Sequence, residues 1–203
     1  MPEQKNCILI YQDTTSKKIA RIELSKCADS LYFAKELQKK YPDSEIFIDC
    51  DEDSFLILGE FPKSPVKLLE ISKETDLHFP SLVPFIAIDP FLTILMQAFG
   101  NEEALSLSIE SGYAHYFSRK RNSIWKKGEE SGMIQSISQI YYLSETPSII
   151  FQTKEKIPSC HTGFYSCFYR KLEKDSFVTN YSKKEFDPNQ IYGSKNSGNL
   201  KSL

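Results

Sequence analysis

The sequence predicts a fold of mixed strands and helices, in which one strand–strand–helix unit occurs twice. Short apolar runs separated by polar turns indicate strands, and a helix-like segment follows the second strand in each half of the chain. The same order of predicted elements occurs again after residue 80, which indicates two units of one type. With 203 residues, 40% of them hydrophobic, the chain can form one large domain or two small ones.

The first unit, residues 1–62, begins with a predicted β-hairpin. Its predicted elements, in order, are strands at 7–11 and 19–24, a helix from Ser25 to Tyr41, and strands at 45–48 and 55–58. An acidic cluster separates the last two strands. Residues 63–80, which begin and end beside prolines, are predicted to link this unit to the next, with a short helix or plain linker at 66–75.

The second unit, residues 81–193, repeats the order of the first. Strands are predicted at 83–88 and 93–96, and a helix opens at Asn101. The apolar residues of 46–57 also coincide without gaps with those of 140–151, although the polar residues differ. Internal duplication is the favoured interpretation, and chance similarity between two β-rich segments is the alternative. The polar tail, residues 194–203, is predicted to be disordered.

Charge and cysteine content exclude several classes of protein. A net charge of -2 gives no support for bulk binding to nucleic acid or to membranes, so an anionic ligand would be small. The sequence has no apolar run of roughly 18 residues and does not open like a secretory signal, which predicts a cytoplasmic protein. Five cysteines, an odd number, favour reduced thiols, some of them metal ligands, over a disulfide framework.

Two clusters suggest metal binding. Cys160, His161 and Cys167 fall within eight positions and resemble half of a metal site. The cluster at 49–53, Asp-Cys-Asp-Glu-Asp, alternates hard oxygen ligands with a soft thiol. The alternatives are a buried thiol pair or a structural zinc site for the first cluster, and a solvated turn for the second.

A third segment, residues 112–132, combines aromatic side chains, cations and glycines. Its cations could hold phosphates through charge-assisted hydrogen bonds, and Trp125 could stack on a base. From composition alone, a solvated basic loop is an equally good interpretation.

Taken together, these segments resemble phosphoribosyl-AMP cyclohydrolase, an enzyme family of histidine biosynthesis. The resemblance runs from about residue 83 to residue 193 and is dense in its middle part. The matching positions are 95–96, 101–105, Gly112, 114–116, 118–119, Arg121, Trp125, 127–129, 131–132, 160–163, 166–170, 187–188 and 191–193.

The second unit departs from this family at two places. The family's Asp-Cys-Asp-x-Asp motif is absent where Leu143, Ser144, Glu145 and Pro147 stand, and Met133 replaces a family histidine. The first unit supplies the missing motif at 49–53 but lacks the other motifs. Family members resemble intertwined homodimers whose zinc takes one thiolate from one subunit and two from the other. The resemblance thus implies a tandem fusion, a pseudo-dimer with one composite site in a single chain, which would be a monomer.

The fold implied by the resemblance is mainly β with a few helices (α+β), built as two intertwined repeats. The implied reaction is zinc- and magnesium-dependent hydrolysis of the N1–C6 bond of 1-(5-phosphoribosyl)-AMP. Three thiolates leave the fourth position of zinc open, so that its water can reach a pKa near 7. The expected zinc ligands are Cys50, Cys160 and Cys167, and the expected magnesium ligands are Asp49, Asp51 and Asp53.

The remaining site residues are expected to bind the substrate or move protons. His161 is the candidate for proton transfer, with orientation of a ligand as its alternative role. The expected substrate-binding residues are Ser118, Arg119, Arg121, Trp125, Lys126, Lys127, Gly128, Glu129, Ser131, Thr162 and Arg170.

Two other functions stay open at this point. An inactive zinc-binding pseudoenzyme could bind a nucleotide or a partner protein through residues 118–131. A larger oligomer could instead assemble its sites from separate chains.

Overall fold

The computed structural model shows a mainly β protein with two short helices among its described residues, which confirms the predicted class. The described residues are 6–13, 19–26, 39, 44–50, 53–58, 68–70, 79, 81–143, 147–173, 176–181 and 183–193. The strands are β1 (Asn6–Asp13), β2 (Ile19–Lys26), β3 (Ser44–Cys50), β4 (Asp53–Leu58), β5 (Leu68–Glu70), β6 (Val83–Ile88), β7 (Ile94–Gly100), β8 (His115–Ser118), β9 (Ser123–Lys126), β10 (Ile137–Leu143), β11 (Ser148–Thr153), β12 (Arg170–Glu173) and β13 (Ser176–Thr179). The helices are α1 (Glu102–Ser111) and α2 (Pro188–Tyr192).

The first sheet has six strands in the order β13-β12-β4-β3-β1-β2. The predicted hairpin of β1 and β2 forms, and β3 pairs antiparallel with both β1 and β4. The last two strands of the chain complete this sheet, because β12 pairs parallel to β4 through Lys171 and Leu56. The carboxyl-terminal region is therefore built into the sheet of the amino-terminal region.

The second sheet has seven strands in the order β5-β10-β11-β6-β7-β8-β9. β6 matches the predicted strand at 83–88, and all six of its residues are buried, as expected for an apolar run in the middle of a sheet. β11 pairs parallel to β6, whereas the other neighbours are antiparallel. The short helix or plain linker predicted at 66–75 is wrong at Leu68–Glu70, since these residues form β5 at the sheet edge beside β10.

Helix α1 begins where the sequence predicts it. The Asn101 side chain accepts a hydrogen bond from the Ala104 amide at 2.9 Å, and Glu102 and Glu103 lie in the positively polarised first turn. Gly112, with φ 73°, ends the helix in the left-handed conformation that glycine adopts without strain. Neither described helix is long and apolar enough to cross a membrane.

The two sheets share one of the hydrophobic clusters of the core. Ile10 and Phe47 of the first sheet pack with Ile86 and Ile150 of the second, and Phe168 belongs to the same cluster. The rings of Phe47 and Phe168 meet edge to face with centroids 5.2 Å apart. The first sheet thus packs directly against the residue that follows Cys167.

Strand order does not repeat between the two units. In the first sheet β1 lies antiparallel beside β3, whereas in the second sheet the corresponding β6 lies parallel beside β11, so the described residues show no repeat. The helix predicted from Ser25 lies outside the described residues apart from Lys39, and so does the tail at 194–203.

Candidate active site

A tight turn brings the two carboxyl-terminal thiols together. The Gly163 amide donates to the Cys160 carbonyl at 3.0 Å, and the Ser159 amide donates to the Tyr165 carbonyl at 2.9 Å. Gly163 has φ 95°, a conformation that favours glycine. The Cys167 amide donates to the Leu95 carbonyl at 2.8 Å, which ties the far end of the turn to β7.

The electrostatics of this turn favour a thiolate at Cys160. A hydrogen bond from the Cys167 thiol is the largest cause that lowers the pKa of Cys160, to about 6, although burial acts in the opposite direction. The Thr162 hydroxyl, 2.9 Å from the Cys160 sulfur, lowers it further, as does the charge of His161. Cys160 is 3% exposed. Two neighbouring soft sulfur donors, of which Cys160 is buried and readily ionised and Cys167 is half-buried, fit a zinc ion well.

A buried chain of hydrogen bonds supports the same turn. The Tyr116 hydroxyl donates to Gln135 at 2.7 Å, and the Gln135 amide donates to the Ser159 hydroxyl at 2.9 Å. All three side chains are buried, and burial raises the pKa of Tyr116, which keeps its hydroxyl a donor. Sequence reasoning missed Gln135 and Ser159. The available signal was a glutamine beside an alternating strand pattern that contains another glutamine, Gln139, and this signal is weak.

A pocket of about 790 Å³ opens beside the thiols. His161 and Cys167 line it together with most of the expected substrate-binding residues. Those are Ser118, Arg119, Arg121, Trp125, Lys126, Lys127, Gly128, Glu129 and Ser131. Thr162 lies against the Cys160 sulfur and Arg170 opens β12, and neither is among the described residues that line the pocket.

The basic segment contains a hairpin, so the alternative of a solvated loop is wrong for its two strands, whereas residues 119–122 between them form an exposed turn. β8 and β9 pair antiparallel, with Tyr116 opposite Trp125 and their rings stacked at 5.0 Å. The Arg119 guanidinium lies 4.2 Å from the centre of the Phe99 ring. These contacts hold one aromatic and one cationic side chain of the pocket wall in fixed positions.

Lys127 and Gly128, two of the expected substrate-binding residues, follow the hairpin, and both are buried. Lys127 is 8% exposed, and burial lowers its pKa, while the charges of Cys167 and Cys160 oppose that shift. Gly128 has φ 85°, and a Cβ there would lie 2.1 Å from the carbonyl oxygen of Met133. Gly128 is therefore required for close packing against Met133, which is not among the described residues that line the pocket.

The acidic cluster is described only in part. Asp49 and Cys50 end β3, Asp53 begins β4, and Cys50 is the register partner of Asp53. Asp51 and the side chains of Asp49, Cys50 and Asp53 lie outside what the structure describes. Among the side chains that are described, no group of three His, Cys, Asp or Glu residues could hold a metal ion.

Comparison with known proteins identifies the part of the chain that contains the hairpin and the thiol turn. The family model for phosphoribosyl-AMP cyclohydrolase matches residues 96–169, which include the hairpin and both thiols. A phosphoribosyl-AMP cyclohydrolase of Leptospira interrogans is 39% identical over 177 residues, 84% of this chain and 89% of that protein.

Archaeal relatives match a shorter part of the chain. The phosphoribosyl-AMP cyclohydrolase of Methanosphaera stadtmanae is 50% identical over 100 residues, 49% of this chain and 78% of the relative. That of Archaeoglobus fulgidus is 45% identical over 95 residues, 46% of this chain and 88% of the relative. This chain therefore belongs to the phosphoribosyl-AMP cyclohydrolase family, and the prediction of a hydrolase of that family is confirmed.

Proposed function

We propose that this chain hydrolyses the N1–C6 bond of 1-(5-phosphoribosyl)-AMP and opens its adenine ring in histidine biosynthesis. The observation that carries the proposal is the pocket beside the thiols, in which Cys167 and His161 share one space with the basic hairpin. Such a pocket combines sulfur, a soft metal ligand, with cations that can bind phosphate groups. The relatives that match the chain are named for this activity.

The substrate carries two phosphates and a planar base, and the pocket offers partners for both. Arg119, Arg121 and Lys126 provide charge-assisted donors for phosphate oxygens. Trp125, stacked on Tyr116, presents an aromatic surface on which a purine can stack. Lys127 is the buried cation nearest to the thiols, so its role is the electrostatic support of negative charge there.

Zinc and magnesium are the cofactors of the proposed reaction. Cys160 and Cys167 would hold zinc together with Cys50, and Asp49, Asp51 and Asp53 would hold magnesium. Zinc bound by three thiolates supplies Lewis-acid activation of water. His161, exposed at the pocket, would move a proton between substrate and solvent.

Backbone register supports the participation of Cys50. Lys171 of β12 pairs with Leu56 of β4, and the two strands run parallel. Cys167 lies three residues before β12 begins at Arg170, and Asp53, the partner of Cys50, is the first residue of β4. Because the two strands run parallel, their beginnings lie at the same end of the sheet. The contact between the rings of Phe47 and Phe168 holds the residue after Cys167 against β3, the strand that ends at Cys50.

The fused pseudo-dimer is part of this proposal. Its support is the complementary loss of motifs, the entry of β12 and β13 into the first sheet, and the length of the relatives. The 95 matched residues are 88% of the Archaeoglobus protein, so that protein is about half as long as this chain, whereas the Leptospira relative is of similar length. A zinc site of reduced thiols also fits the proposed cytoplasmic location.

Turnover with metals present tests the activity. We expect the purified protein with zinc and magnesium to convert phosphoribosyl-AMP to the formimino-carboxamide product, followed by absorbance. Cys50→Ser and Cys160→Ser should each reduce turnover by more than about 100-fold, because each removes a proposed zinc ligand. Cys27→Ser, at a cysteine outside both predicted metal-binding clusters, is the matched control.

Two outcomes would contradict the proposal in different ways. A fully active Cys50→Ser variant would exclude the composite site but not the activity. Tight nucleotide binding without any turnover would instead favour the pseudoenzyme, an alternative for which the replacement of the family histidine by Met133 is the specific observation.

A further inference from the structure

The carboxyl-terminal segment, residues 183–193, is attached to the turn between the two thiols. The amides of Glu185 and Phe186 both donate to the Gly163 carbonyl, at 2.8 and 3.4 Å. A Cβ at position 163 would lie 2.4 Å from the Phe186 carbonyl oxygen and 3.2 Å from the Pro188 ring. Only glycine lets the segment approach this closely.

Helix α2, at the end of this segment, has little packing of its own. It is five residues long and has no buried residue, and its first turn is capped by Asp187, which accepts from the Asn189 amide at 3.0 Å. Pro188, Ile191 and Tyr192 are only half-buried, so side-chain packing holds the helix in part. The Gly163 anchor adds to that packing and keeps the helix where Tyr192 lies in the wall of the pocket.

Tyr192 adds an aromatic side chain from a further element to that pocket. Cys167 and His161 line the pocket, and the hairpin contributes cations and Trp125. Tyr192 is half-buried, so part of its side chain stays open to a ligand. Two aromatic side chains on different elements, with cations beside them, suit a planar base that carries phosphate groups.

We propose that Tyr192 is a substrate-contacting residue whose ring packs against the nucleotide in the pocket. The identity of the nucleotide rests on the proposed function, whereas the contact itself rests on the position of Tyr192. The Gly163 anchor makes α2 a wall of the binding site, attached to the turn that carries the thiols.

Kinetics and ligand binding together test this contact. We expect Tyr192→Ala to raise KM for phosphoribosyl-AMP about tenfold with kcat within about twofold, because stacking is lost. Tyr192→Phe, which keeps the ring, should behave like the unmodified protein. Gln190→Ala, at an exposed position of the same helix outside the pocket lining, is the matched control.

A second readout does not depend on turnover. Trp125 is the single tryptophan of the chain and lines the pocket, so its fluorescence reports titration with AMP as the probe. The dissociation constant for AMP should rise about tenfold in Tyr192→Ala and stay unchanged in Tyr192→Phe and Gln190→Ala. If AMP binding depends on Tyr192 while no variant shows turnover, the proposed activity fails and the contact stands.

The opposite results would overturn the inference. Unchanged KM and unchanged AMP affinity in Tyr192→Ala would show that the ring does not touch the nucleotide. Tyr192→Leu separates contact from support of the fold, because it keeps apolar bulk without a flat ring. Full affinity in Tyr192→Leu, with a loss only in Tyr192→Ala, would mean that Tyr192 merely holds the helix in place.

Discussion

At the scale of single residues, the most informative side chain is Cys160. Its thiol is buried and yet more acidic than an ordinary cysteine, since the hydrogen bonds of Cys167 and Thr162 outweigh the cost of burial. Burial alone would have produced a neutral, unreactive thiol. The turn therefore favours the thiolate form of Cys160 in the ligand-free protein.

This acidity predicts the pH dependence of the metal-free protein. Alkylation of Cys160 by iodoacetamide should increase through a midpoint near pH 6, and not near the ordinary value of 9.0. Cys167→Ser should move the midpoint upward, because it removes the main cause of the shift. Mass spectrometry of the modified peptide measures both rates, and a midpoint near pH 9 in the unmodified protein would contradict the prediction.

The same shift makes stability depend on pH. The pKa of this acid is lower in the folded state than in the unfolded chain, so the unfolded chain binds more protons between pH 6 and 9. The contribution of Cys160 to the free energy of unfolding is thus complete above pH 9 and is lost as the pH falls through about 6. Urea unfolding across this range should show the trend, and Cys160→Ser should remove it.

At the scale of elements, the hydrogen-bonded chain Tyr116–Gln135–Ser159 connects the hairpin to the thiol turn. Its members come from three separate segments, and each is buried. A buried hydroxyl that loses its partner costs about 1–3 kcal/mol. The chain is therefore a buried connection between the hairpin and the turn that carries the two thiols.

Gln135→Leu tests that connection. It leaves the Tyr116 hydroxyl without its acceptor, whereas the Ser159 hydroxyl keeps the Ile157 carbonyl at 3.3 Å, and it should lower the free energy of unfolding by about 1–3 kcal/mol. Gln139→Leu, on the exposed face of β10, should change it by less than about 0.5 kcal/mol. Urea denaturation compares the two, and equal stability of both variants would show that the buried chain contributes nothing.

Elements with a strong local pattern could be predicted, and those that depend on distant partners could not. β6 is an uninterrupted apolar run, and α1 is bounded by Asn101 and Gly112, so both followed from the sequence. β5 has three residues and exists through its pairing with β10. The hairpin of β8 and β9 was hidden because its cations and aromatic residues resemble a loop.

Some residues of the candidate site could likewise be predicted from the sequence, and others could not. Cys160, His161 and Cys167 could be predicted because such residues are rare in this chain and lie close together in sequence. Gln135 and Ser159 carry little local signal, since each acquires its role from contacts with distant segments, and Tyr192 belongs to a matching segment whose place beside the pocket the sequence does not indicate. The pairing of Cys50 with the other thiols stays a prediction.

At the scale of the whole molecule, the proposed fusion predicts stoichiometry. If one chain contains a single composite site, zinc analysis should give about one zinc per chain, and light scattering should give the monomer mass of 23.4 kDa. A dimer mass with full activity would favour sites shared between chains. Absence of zinc from an active preparation would contradict the thiolate site itself.

The pairing of β12 with β4 has a consequence for folding during translation. β4 ends at Leu58, and its parallel neighbour opens at Arg170, so residues 59–169 must be translated before the two can meet. During that interval the early strands keep an open edge, a template for unwanted pairing with other nascent chains. This edge is therefore closed only after residues 170–173 have been translated, long after the strands that it joins.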